Sequence, residues 1–158
     1  MKHLSNYCKL LENETDLVLR LLDQWHPRST GPKEKGHEQD LTAWLQKCLP
    51  DVPIVTQYGI AKGKADIVIE DAHVIELKRG FDASSVAEFD RCIGQMERYL
   101  QKWVKKERGP VYLVIVGPSY AEFRDLLSTW FKEANDRCSG WTFFAAPPFH
   151  LVEKPLSP

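Results

Sequence analysis

The sequence predicts an α/β fold in which a mixed central sheet carries helices on its faces. Three observations predict it. Apolar residues recur at a helical period in separate segments, and short runs rich in β-branched residues lie between them. The resulting order is helix, three strands, helix, strand, helix, which one domain satisfies by flanking a sheet with helices. Finally, 158 residues with 43% hydrophobic and 11% aromatic content suit a single domain, residues 1–158, with a substantial core.

Residues 7–25 carry Leu10, Leu11, Leu17, Val18, Leu21 and Leu22 near a helical period, which is broken from His26-Pro27 to Lys35-Gly36. Residues 1–32 therefore form a helical extension to a core at about 35–116. Residues 37–49 place Leu41, Trp44, Leu45 and Cys48 on one helical face and end before Pro50. Residues 52–58 read as the first strand, and strands at about 65–70 and 73–78 follow as a hairpin. A long helix over about 84–106 aligns Val86, Phe89, Ile93, Met96, Leu100 and Trp103 as a core stripe and stops at Gly109-Pro110. Residues 111–116 form a strongly apolar strand and 120–138 another helix. Residues 141–145 and 149–152 read as short terminal strands interrupted by Pro147-Pro148.

The 21 Lys and Arg nearly balance the 22 Asp and Glu, so an anionic partner would have to meet a local patch rather than an overall field. Cys8, Cys48, Cys92 and Cys138 contain no Cys-x-x-Cys pair, which fits reduced thiols better than a zinc site or a disulfide framework. The N-terminus has no signal-peptide core, and no apolar run approaches the roughly 20 residues of a membrane span. A cytoplasmic protein is expected. The histidines form no pair at metal-ligand spacing, neither a Ser-His-Asp set nor a Gly-rich phosphate loop is evident, and His73 reads as a turn residue.

Asp66, Glu76 and Lys78 interrupt otherwise aliphatic strands. An isolated buried ion costs several kcal/mol, so these groups lie at an edge or gather around something that compensates them, and a divalent metal is the obvious candidate. Hairpin register decides whether they meet. With Asp66 opposite Glu76, one face collects Ala65, Ile67, Ile69, Ile75 and Leu77, and the other Lys64, Asp66, Val68, Val74, Glu76 and Lys78. A one-residue slip leaves no clean core face, so burial favours the register that joins the acids. It requires an odd number of connecting residues near 70–72. Glu38 falls in line with Leu41 and Leu45 on the inward helix face, and no Ser or Thr precedes it at capping-box spacing. Favour from the helix dipole is the alternative account of Glu38. Gln95 and Tyr99, four apart, sit on the shoulder of the long helix's core stripe.

Glu38, Asp66, Glu76-Leu77-Lys78 and Gln95-x-x-x-Tyr99, ordered on helix, strand, strand and helix, resemble the PD-(D/E)xK nuclease superfamily. The Gln-x-x-x-Tyr element resembles its RecB-like branch. The resemblance covers about residues 35–116, departs in having Ala65 before Asp66 where the family has proline, and implies a restriction-endonuclease-like αβββαβ core. Each short motif alone is weakly specific, and the ordered set is more so.

Oxygen ligands suit Mg²⁺ or Mn²⁺, and Asp66, Glu76 and the backbone carbonyl of Leu77 could supply part of an octahedral shell. The metal would polarise a phosphate and lower the pKa of water, while Lys78 orients that water or stabilises developing negative charge. Glu38 would be a further ligand or support one. The resemblance gives Gln95 and Tyr99 a positioning role. Lys62, Lys64, Arg79, Arg91, Arg98 and Lys102 are candidates for contact with nucleic acid, and solvation of the helix face, or a plain turn at Lys62-Gly63-Lys64, is the alternative. A salt-bridged cluster of Glu76, Lys78 and Asp66 needs no metal, but it leaves three acids against one lysine once Glu38 joins.

The leading expectation is a Mg²⁺-dependent nuclease on DNA, with RNA as an alternative substrate. It would recognise ends, junctions or nicks, or gain specificity through a homodimer or a partner protein. The alternatives are a non-catalytic nucleic-acid-binding or regulatory protein, and an interaction protein with Trp25, Trp130 and Trp141 at an interface.

Overall fold

The computed structural model describes residues 17–28, 33–141, 144 and 146–156. Residues 17–24 are helical, and α1 (Glu34–Cys48), β1 (Ile54–Ile60), β2 (Gly63–Ile69) and β3 (His73–Arg79) follow. Next come α2 (Val86–Lys102), a 3-10 turn (Val104–Lys106), β4 (Val111–Val116), α3 (Ala121–Cys138) and β5 (Phe149–Lys154). The five strands make one mixed sheet in the order β1-β2-β3-β4-β5. Strands β1 to β3 are antiparallel, whereas β3, β4 and β5 are parallel and joined by α2 and α3. Among the described residues no helix is long and apolar enough to cross a membrane.

Apolar alternation along the strands builds a core on each face of the sheet. Val111, Leu113 and Ile115 of β4 pack with Phe89, Met96 and Leu100 of α2 and with Phe123, Leu127 and Phe131 of α3. Tyr112, Val114 and Val116 face the other way, onto Leu41 and Leu45 of α1 and onto Val18, Leu21 and Leu22. Every residue of β4 is buried, as expected for a strand covered on both faces. Lys154, at the end of β5, donates from Nζ to the Asp23 carbonyl at 2.6 Å, tying the N-terminal helical residues to the last strand.

The β2–β3 hairpin pairs Ile67 with Ile75, Val68 with Val74 and Ile69 with His73, leaving Glu70, Asp71 and Ala72 as the connection. Glu70 and Asp71 take left-handed φ values of 54° and 53°, and the turn closes through the Ala72 N–H on the Ile69 carbonyl at 3.0 Å. This register brings Asp66 opposite Glu76. Ile67, Ile69, Ile75 and Leu77 face α1, and Val68 and Val74 face α2. Ala65 departs from the expected alternation and packs in the α2 layer. The departure falls beside a gap in the β1–β2 ladder at Gln57, whose φ is 53°, between the pairs Thr56↔Ile67 and Tyr58↔Ala65.

Other expectations need correction. Val86 is 54% exposed because it opens α2 where the helix has not yet reached the sheet, and Cys92 and Tyr99 complete the buried stripe instead. His73 is no turn residue: it begins β3, is buried, and sets Nδ1 2.9 Å from the Tyr112 hydroxyl. Trp25 belongs to the core, with its indole N–H donating to Asp40 at 3.2 Å, whereas Trp130 and Trp141 are half-buried. In the segment expected as a strand at 141–145, Trp141 and Phe144 lie outside any strand. Residues 142, 143 and 145, and residues 7–16 of the expected N-terminal helix, lie outside the described residues.

Candidate active site

Beyond the Ile67–Ile75 pair, two carboxylates occupy the space between β2 and β3. Asp66 Oδ2 accepts the Leu77 N–H at 2.9 Å, and Glu76 Oε2 accepts the Asp66 N–H at 3.4 Å. Each acid thus satisfies a backbone donor of the opposite strand, which answers the need of buried N–H groups for partners. Glu76 is only 2% exposed. Its Oε1 accepts from Lys78 Nζ at 3.1 Å and Gln95 Nε2 at 2.6 Å, and its Oε2 also accepts from the Tyr99 hydroxyl at 2.7 Å. Four donors on two oxygens fill the lone-pair sites of a carboxylate.

Gln95 and Tyr99 reach Glu76 together because they stand one turn apart on α2, with Gln95 Nε2 3.1 Å from the Tyr99 oxygen. Tyr99 lies deeper than a shoulder position implies, being 1% exposed. On the opposite face, Glu38 of α1 is half-buried and accepts from Gln57 Nε2 at 3.1 Å on each of its oxygens. The same nitrogen lies 3.5 Å from Asp66 Oδ1. The α1 N-cap, Lys33, makes no side-chain cap bond, so Glu38 is not engaged in a capping box. Glu38, Gln57, Asp66, Glu76, Lys78, Gln95 and Tyr99 therefore lie along one polar chain from α1 across the sheet to α2, continued between Asp66 and Glu76 through the Asp66 backbone.

Two members of this neighbourhood were not expected from the sequence. Glu34, one turn before Glu38, accepts the Arg79 N–H at 3.4 Å, and its charge acts on Lys78. Its spacing from Glu38 was the available signal. Gln57 gave none, since a left-handed conformation at a non-glycine residue is not written in composition or periodicity.

The electrostatics follow from burial. Burial first, then the charge of Glu76, pushes the Asp66 carboxyl up from 3.8 to about 7, against the opposing pull of the Leu77 N–H and Lys78. Burial alone would lower the Lys78 ammonium, but Glu76, Glu34 and Asp66 together raise it. Tyr99 is held neutral by burial and by the adjacent Glu76 charge, which suits a hydroxyl that only donates.

Asp66 and Glu38 themselves offer only carboxylate oxygens, the ligand chemistry of a hard divalent cation, and a carboxyl pushed upward by burial and a like charge is one such a cation would relieve. Glu76 differs, because it could approach a cation only by exchanging one of its present donors. Leu77 presents its backbone beside Asp66 while its side chain packs in the α1 layer. Among the described residues no group of three or more His, Cys, Asp or Glu side chains is spaced to hold a metal ion.

Of the basic residues, Lys62 and Lys64 flank Gly63 at the β1–β2 turn and are exposed. Arg98 of α2 lays its guanidinium over Gly63, in space that a Cβ there would need, so these three cations gather at one corner beside β2. Arg79 ends β3 near Glu34, and Arg91 and Lys102 are exposed on α2. No family model matches this chain, and no curated protein or solved structure matches it either.

Proposed function

We propose that this chain is a metal-dependent phosphodiesterase acting on DNA, a nuclease of the PD-(D/E)xK kind with a restriction-endonuclease-like core. The observation that carries the reading is the meeting of Glu38, Asp66, Glu76, Lys78, Gln95 and Tyr99 from two helices and two strands in one polar chain. Mg²⁺ or Mn²⁺ would be held at Asp66 and Glu38, where it supplies Lewis acidity to a phosphodiester and makes water a stronger nucleophile. Lys78, fixed by Glu76 and kept protonated, offers positive charge where negative charge develops on the phosphate. Gln95 and Tyr99 hold Glu76, and through it Lys78, in one orientation. Lys62, Lys64 and Arg98 provide a phosphate-binding corner.

The test is cleavage of plasmid, single-stranded and branched DNA, and of RNA, in Mg²⁺ or Mn²⁺, alongside Asp66→Ala and Lys78→Ala proteins shown to fold. Metal-dependent cleavage lost in both variants supports the reading, and no cleavage of any substrate by the parent defeats it. One observation favours a second reading, a non-catalytic nucleic-acid-binding or regulatory protein. Glu76 is already satisfied by four donors and needs no cation. Salt-sensitive DNA binding without cleavage would select that alternative.

A further inference from the structure

Gln57 lies on the outermost strand at the one point where the β1–β2 ladder is broken, opposite Asp66, in a left-handed conformation that non-glycine residues rarely adopt. Such backbone is kept where surrounding contacts demand it, and the contacts here are acidic. Nε2 sits 3.1 Å from both oxygens of Glu38 and 3.5 Å from Asp66 Oδ1, so a single amide nitrogen spans the two carboxylates. Unlike Glu76, which is 2% exposed, Gln57 is exposed, and the pair it bridges, Glu38 and Asp66, is half-buried. A lysine or arginine here would neutralise the acids permanently. A neutral amide holds them by hydrogen bonds that a doubly charged ion can displace, and a half-turn about its Cγ–Cδ bond exchanges N–H donors for a carbonyl oxygen without changing its shape. Carbonyl oxygen is a good ligand for hard cations, whereas N–H groups aimed at a cation repel it.

We propose that Gln57 is an exchange ligand: with no metal bound its Nε2 bridges Glu38 and Asp66, and when a divalent cation enters between them the amide turns to give the cation its Oε1. The inference rests on the metal-dependent reading above, and the test separates the two. Calorimetric titration of chelator-stripped protein with Mn²⁺ is carried out on the parent, Gln57→Met and Gln57→Glu, with folding checked by circular dichroism. Methionine keeps the length but removes the oxygen, and is expected to weaken Mn²⁺ binding by on the order of tenfold, the scale on which residues supporting a metal site act. Glutamate restores an oxygen and is expected to bind at least as tightly as the parent. Gln57→Met binding as tightly as the parent, or Gln57→Glu binding more weakly, overturns the exchange role while leaving the metal reading intact. A parent that takes up no Mn²⁺ overturns both.

Discussion

Asp66→Asn should abolish a specific pH dependence of stability. In the metal-free protein the Asp66 carboxyl titrates at about 7 against 3.8 when unconstrained, so between these values the folded chain holds a proton that the unfolded chain has released. Stability from this group is complete below about pH 4 and is lost as pH rises through about 7. At about 1.4 kcal/mol per pH unit, the whole interval is worth about 4 kcal/mol, a large part of the stability of an ordinary domain. Asparagine keeps the shape and can still accept the Leu77 N–H, but carries no charge at any pH. Urea unfolding of parent and variant, measured from pH 4 to 8 in the presence of a chelator, gives the difference curve directly. The parent should lose stability relative to Asp66→Asn across that window, and saturating Mg²⁺ should restore the parent at pH 8 while leaving the variant unmoved. Parallel curves in chelator would show that burial and Glu76 do not govern this carboxyl, and the electrostatic account of the site would fail with them.

Three further outcomes are expected. Tyr99→Phe removes a buried hydroxyl donor from Glu76 and should cost about 1.5–3 kcal/mol in denaturant unfolding, with the slope unchanged. Leu45→Ala, at a fully buried position between α1 and the sheet, should cost about 2–5 kcal/mol by the same measurement. Replacing Lys62, Lys64 and Arg98 together by alanine should weaken DNA binding and flatten its dependence on log salt by about 0.9 for each phosphate no longer neutralised, measured by fluorescence anisotropy across a salt series.

The strands and helices that position the site were legible because their signals are periodic. Alternation at Ile67, Ile69, Ile75 and Leu77 sufficed to choose the register that sets Asp66 opposite Glu76, and Leu41 and Leu45 sufficed to turn Glu38 inward. What escaped was decided by tertiary placement. Trp25, an amphipathic residue read at a surface, packs in the core with Leu22 and Leu45, and Asp40 satisfies its indole nitrogen there. His73 is buried beside Tyr112, distant in sequence, whose hydroxyl meets its ring nitrogen. Val86 has the right spacing for the core but stands one turn before the sheet begins to cover α2. Gln57 escaped for a different reason, since its role depends on a backbone angle that no side-chain pattern encodes.

The interruption at Gln57 also bears on how copies of this chain meet one another. Among the described residues β1 has a neighbour on one side only, and an unbroken border strand offers a template for cross-chain sheet growth and fibre formation. The left-handed residue at its midpoint interrupts the ladder between Thr56 and Tyr58 and so breaks the regularity of that template. The residue that aims an amide at two acids thus also interrupts the border on which such growth would begin.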